Sequence, residues 1–325
     1  MSDKLPTPES PFVIERLMRD TRRSYEEEEF TSEEEFREKM HAYIEKGDLD
    51  NRLESLKEHP QELAQELAFQ AFESADQGLA SDLTKKALTI DPDCVDALTI
   101  RAFLDSENAS DLIDAIEHAA TCGESRLGED FFAEFMGDFW PMVEARPYLR
   151  SIKQLAEVLW NVGRRFDAVE HYMNLLDLDP EDHMGNSVLL LGCYLSMGEV
   201  QRSWDLLEEY DDESAVFQWG WVLVALMTDD ATAAEDALQG AMEINPHVAP
   251  LLLGMGEPVE EGNPPTVTIG SPEEALVTVQ IIGDAWGHNP MAQMWLHGEL
   301  VKMGLITMDP DEMADEEDPG DAPVH

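Results

Sequence analysis

From about Pro60 onward, apolar residues recur at intervals of three and four in segments roughly a dozen residues long, separated by glycine or by Asp-Pro and Asn-Pro breaks. That period marks one face of an α-helix, and the two-residue alternation of a half-buried strand is nearly absent. The pattern predicts an all-helical chain. Ahead of it, residues 1–11 read as a loose arm and Phe12 to Phe30 as an amphipathic stretch closing on the acids Glu26 to Glu29. A helix is expected over 32–46. There Ser32 and Glu35 form a capping box, Phe36 and Met40 lie one turn apart, and Gly47 supplies the stop.

The breaks repeat. Three segments end on one phrase, Ala87 to Pro92, Leu175 to Pro180 and Ala241 to Pro246, with Pro180 and Pro246 separated by 66 residues. Twelve residues before each proline stands an alanine (Ala80, Ala168, Ala234), and eight before it stand Thr84, Tyr172 and Leu238. In this shared register the chain resembles the tetratricopeptide repeat, a helix-turn-helix unit of 34 residues in which small residues let paired helices approach and a proline ends the second helix. The clearest unit is 149–181, with Leu155, Ala156, Leu159, the turn glycine Gly163, Ala168, Tyr172 and Leu175. Units at 61–92, 184–213 and 215–246 share the pattern, the second of them without the closing proline, and a degenerate pair occupies 93–123.

The resemblance implies an all-α, right-handed α-solenoid of helical hairpins. The organisation expected is an N-terminal arm and amphipathic helices over 1–59, hairpins over 60–125, an aromatic-rich bracing insertion over 126–148 and further repeats over 149–250. C-terminal capping helices then occupy 251–306, with a disordered acidic tail over 307–325. Within the cap, 262–265 reads as a loop, 266–269 as a short β-prone run, and Ser271-Pro272-Glu273-Glu274 as a helix start. The tail has three prolines and no aromatic residue. The phrases Arg146 to Arg150, Leu159 to Tyr172 and Asn245 to Gly254 are also similar to the helical-repeat family of the suppressor of tumorigenicity seven protein. That similarity implies an interaction protein and transfers no catalytic residue.

Composition narrows the partners. Against 21 Lys and Arg stand 70 Asp and Glu, a formal charge of -49, which repels nucleic acid phosphates and anionic membrane surfaces. Adaptation to high salt and a preference for cationic partners both produce such an excess, and the scattering of acids along the whole chain favours the first. The opening residues hold no apolar run of signal-peptide length, and the most apolar stretch, Trp219 to Met227, is too short to span a bilayer. A soluble cytoplasmic protein is therefore expected. Cys94, Cys122 and Cys193 stand singly and read as small buried hydrophobes in a reducing compartment.

Catalytic signatures are missing from the sequence. The nine histidines form no HxxxH, HExxH or Cys/His pair at ligand spacing, and no nucleophile elbow or phosphate-binding loop occurs. No cofactor, metal or small-molecule substrate is expected. Binding of a protein or peptide without catalysis is the favoured function; an acidic chaperone or decoy for basic proteins and a hydrolase built on paired carboxylates are the alternatives.

Cations locate the candidate site. Eleven Lys or Arg follow residue 60, five of them at Arg146, Arg150, Lys153, Arg164 and Arg165, and none lies between 203 and 301. What the tetratricopeptide resemblance implies is that Arg150, Lys153, Glu157 and Trp160 face the concave groove, like half of a carboxylate clamp. Glu157 stands where the clamp has asparagine, and the next unit offers Val188 in place of a polar partner. By the same inference the groove continues through Val188, Gly192, Leu195, Val216, Trp219, Leu223 and Leu226, with Phe69 and Phe72 on an earlier unit. The peptide-binding candidates are Arg150, Lys153, Trp160, Val188, Leu195, Trp219 and Leu223. Two readings stay open for them: contact with a ligand whose acids reach the cations, or internal pairing and core packing.

Overall fold

The computed structural model describes residues 10–27, 52–210, 212–255 and 267–306. The expected helix at 32–46, most of the N-terminal arm, the loop at 262–265 and the acidic tail lie outside them. Fifteen helices and no strand occur among the described residues, so the all-helical reading holds. None of these helices is long and apolar enough to cross a membrane. The chain divides into two units, Met1–Asn186 and Ser187–His325.

The first unit contains α1 (Val13–Glu27), α2 (Arg52–Ser55), α3 (Pro60–Glu73), α4 (Gln77–Ile90), α5 (Val95–Asp105), α6 (Ala109–Phe135), α7 (Arg146–Asn161) and α8 (Arg165–Leu178). Local chemistry sets the starts. Pro60 and Pro147 sit in first turns, where a missing N–H costs nothing, and the Asp76 and Asn108 side chains accept from the exposed N–H groups of α4 and α6. Neighbours in sequence are neighbours in space: α3 packs on α4 and α5, α5 on α6 and α7, and α7 on α8. Alanines make this approach close. Ala64, Ala68, Ala71, Ala80, Ala87 and Ala97 share one buried cluster, and Ala168 shares another with Leu155 and Leu159.

Residues 126–135 of the aromatic-rich segment continue α6, which runs to Phe135 with one interruption at Gly128. The φ of 78° and ψ of 161° there are a conformation that glycine alone adopts readily. Beyond it Phe131, Phe132, Phe139 and Tyr148 form edge-to-face pairs, and the fully buried Phe139 donates its N–H to Leu178 O at 3.1 Å. These contacts brace α6 against α7 and α8.

The second unit holds α9 (Asn186–Met197), whose first residue closes the preceding unit, then α10 (Val200–Glu209), α11 (Ala215–Met227), α12 (Ala231–Ile244), α13 (Val248–Leu252), α14 (Pro272–Gly287) and α15 (Pro290–Lys302). Its centre is α11, which packs on α10, α12, α14 and α15 and buries nine residues. A helix apolar on every side needs neighbours on every side, and those four supply them.

The repeated phrase acquires a physical role in both units. Asp91, Asp179 and Asn245 each precede the proline, end a helix, and are buried. Asp91 holds the Arg126 guanidinium at 2.7 and 2.8 Å, and Asp179 accepts from the His183 backbone N–H at 2.9 Å and faces its ring Nδ1 at 2.8 Å. Asn245 donates to Ser271 O and Glu274 Oε2, both at 2.9 Å. An aspartate at that third position would confront the Glu274 carboxylate, which accounts for the amide there.

Candidate functional site

In the first unit, α1 meets side chains of α3 and α7, and Arg150 of α7 links it to Asp96 of α5. Phe12, just before α1, stacks on Phe69 with ring centroids 4.5 Å apart and reaches Phe72 at 5.5 Å. Phe69 is fully buried, and the guanidiniums of Arg16, Arg19 and Arg150 lie 5.2, 5.9 and 5.8 Å from its ring centre.

Around this aromatic post runs a charged layer. Arg16 bonds Glu66 through Nε at 2.9 Å and Nη2 at 3.1 Å, and Glu73 through Nη1 at 2.6 Å and Nη2 at 3.0 Å. Arg150 from α7 does the same in the opposite direction. Its Nε and Nη2 hold Asp96 of α5 at 3.0 and 2.5 Å, and its Nη1 and Nη2 hold Glu15 of α1 at 2.7 and 3.2 Å. Gln65 adds a bond to Asp96 at 2.6 Å, while Arg19 spans Glu15, Glu62 and the carbonyl of Val143.

Burial opposes the charge on Arg16 and Arg150, but the carboxylates outweigh it and hold both guanidiniums above their ordinary range. The hydrogen bond from Arg16 likewise overcomes burial at Glu73 and keeps its carboxyl below the usual value. Without α1 the surface would present Glu62, Glu66, Glu73 and Asp96 against Arg150. It is shaped for a helix that brings an aromatic ring, then an acid three residues on and arginines four and seven residues on. Phe12, Glu15, Arg16 and Arg19 are that pattern.

The structure sorts the candidates read from sequence. Arg150 does meet an acid from a helix lying on this face, and the acid is the chain's own Glu15. Lys153 is half-buried and donates to Met184 O at 2.6 Å; burial lowers its pKa, opposed by Glu157 and Asp182. Trp160 is half-buried at the end of α7, with the Arg165 guanidinium 5.1 Å from its ring centre. Val188 is half-buried at the start of α9.

Leu195, Trp219 and Leu223 are core residues rather than walls of an open groove. At Trp219 the cause is α14, which packs on α11. Trp286 meets Trp219 edge to face at 6.2 Å, and Gly192 approaches Ile281 so closely that a Cβ would stand 2.7 Å from the Ile281 carbonyl oxygen. A helix read only as an end cap thus lies across part of the expected binding surface.

One juxtaposition lies outside the candidates that the sequence offers. His118 and Cys122 are a helical turn apart on α6, with Cys122 Sγ 3.8 Å from His118 Nε2 and 3.9 Å from Asp93 Oδ1. The four-residue spacing was the available signal. Burial and the negative charge of Asp93 raise the thiol pKa, the wrong direction for a nucleophile. Among the described residues no group of three His, Cys, Asp or Glu side chains is placed to hold a metal ion. No protein-family model matches the chain, and no curated protein matches it with significant similarity.

Proposed function

We propose that this chain is a tetratricopeptide-type, right-handed helical solenoid that binds helical segments of other proteins in the cytoplasm, without catalysis. Its ligand face in this proposal is the one formed by α3, α5 and α7. Support for the repeat assignment comes from the common register of alanine and proline, and from the way α3 and α5 each pack on the two helices that follow them.

The observation that carries the functional reading is the chemistry holding α1. It is attached through arginine–carboxylate bridges around the one aromatic side chain of Phe12, the composition of an exchangeable interface. By contrast α14 is held by Trp286, Ile282 and Ala285, all buried, as a permanent core element is. In this reading α1 fills the site from within the chain, and a partner helix with the same pattern takes its place.

The test is competition by a labelled peptide of residues 10–27, followed by fluorescence anisotropy. The full chain carrying Phe12→Asp and Arg16→Asp, which frees the face, should bind the peptide at least tenfold more tightly than the unaltered chain, where α1 competes at high effective concentration. Alanine at the peptide positions of Glu15, Arg16 and Arg19 should remove binding. Equal affinity of both chains, or no binding to either, would contradict the proposal.

A further inference from the structure

The second unit carries a different surface. Over residues 187–306 there are nineteen Asp and Glu and two cations, Arg202 and Lys302. Within that field α15 exposes an apolar stripe. Met291 and Met294 are 71% and 67% exposed, and the half-buried Trp295 continues them at helical spacing.

Met291 and Trp295 join Leu226, Asp229 and Ala231 in lining a concavity of about 200 Å³, room for one aliphatic side chain with some to spare. Asp229 supplies a carboxylate to that lining. Asp229 has a φ of 57° in the turn between α11 and α12, where the turns after α7 and α9 use Gly163 and Gly198 at φ of 85° and 73°. A carboxylate therefore lines the concavity in a backbone conformation that favours glycine.

We propose that this face binds an amphipathic helix of a partner protein whose apolar side is flanked by Lys or Arg. Charge complementarity selects that occupant. A second copy of this chain would bring the same negative field, and residues 307–325 carry eight acids and no Lys or Arg. Methionines suit the task because unbranched thioether side chains repack around differing aliphatic surfaces. One apolar side chain enters beside Trp295, and a flanking cation reaches Asp229. This second surface goes beyond the α1 site and does not depend on it.

The probe is a synthetic 18-residue helix of leucine and lysine, added to the full chain under mild peroxide oxidation with each methionine followed by mass spectrometry. In the free chain Met291 and Met294 should oxidise rapidly, at a rate independent of protein concentration. Saturating peptide should slow both at least tenfold and leave Met173 of α8 unchanged. Asp229→Gly, which suits the turn, should weaken the peptide at least threefold, and Met294→Glu should abolish its binding. The proposal is overturned if the two methionines are already protected in the free chain, which means that its own residues cover them. It is equally overturned if protection grows with protein concentration, if a glutamate-for-lysine peptide protects as well, or if both variants bind normally.

Discussion

Replacing Arg150 by methionine is expected to lower the unfolding free energy by about 3–5 kcal/mol, measured by urea denaturation with circular dichroism. The Arg150 side chain is 17% exposed, Asp96 is fully buried, and Glu15 is 5% exposed. Removing the guanidinium leaves two carboxylates in the interior with their principal cation gone, and burial of uncompensated charge is far more costly than the pair is stabilising. The same reasoning gives an internal control. Arg150→Met combined with Asp96→Asn and Glu15→Gln should recover most of the loss, because a neutral layer has no charge to strand. Arg150→Lys should fall between, since an ammonium cannot hold two carboxylates bidentately. A loss below about 1 kcal/mol for the single variant would mean that this layer is open to water.

Trp219→Ala is expected to cost about 3–5 kcal/mol and to unfold the second unit at correspondingly lower urea. Trp219 is fully buried, meets Trp286, and donates from Nε1 to Asn245 O at 3.3 Å. Truncation would open a cavity at the junction of α11 and α14 and release the acceptor on the helix end that Asn245 closes. Had Trp219 lined a groove, the variant would keep its helicity and lose only a partner. The structure predicts the reverse, loss of cooperative unfolding in this unit, and retention of full stability would return Trp219 to the surface.

The hairpins were legible because their determinants are local. Alanines at the close approaches, Gly163 with its φ of 85°, and the Asp-Pro or Asn-Pro stop place α3 and α4, α7 and α8, and α11 and α12 within a few residues of where the period puts them. The occupants of the two faces were not legible. Glu15, Arg16 and Arg19 have the spacing of any solvated amphipathic helix, and nothing within α1 distinguishes a carboxylate facing water from one facing a guanidinium on α7. The repeat pattern defines a groove within each hairpin, whereas the positions of α1 and α14 are set by residues far away in sequence. For the same reason Leu195, Trp219 and Leu223 carried the pattern of a stripe without revealing that Ile281 would meet Gly192 and Trp286 would meet Trp219. Of the two open readings for Arg150, the structure shows internal pairing, with Glu15 and Asp96.

In the proposed function α1 is a docked ligand of its own chain, and amide hydrogen exchange across residues 13–27 tests this most directly. A helix of 15 residues is marginal in water by itself, so strong protection there must come from docking. Protection of α1 within tenfold of that in α3, lost selectively when Phe12→Asp and Arg16→Asp are introduced, is the result predicted. Exchange at unfolded rates over 13–27 in the unaltered chain, with α3, α5 and α7 still protected, would contradict it.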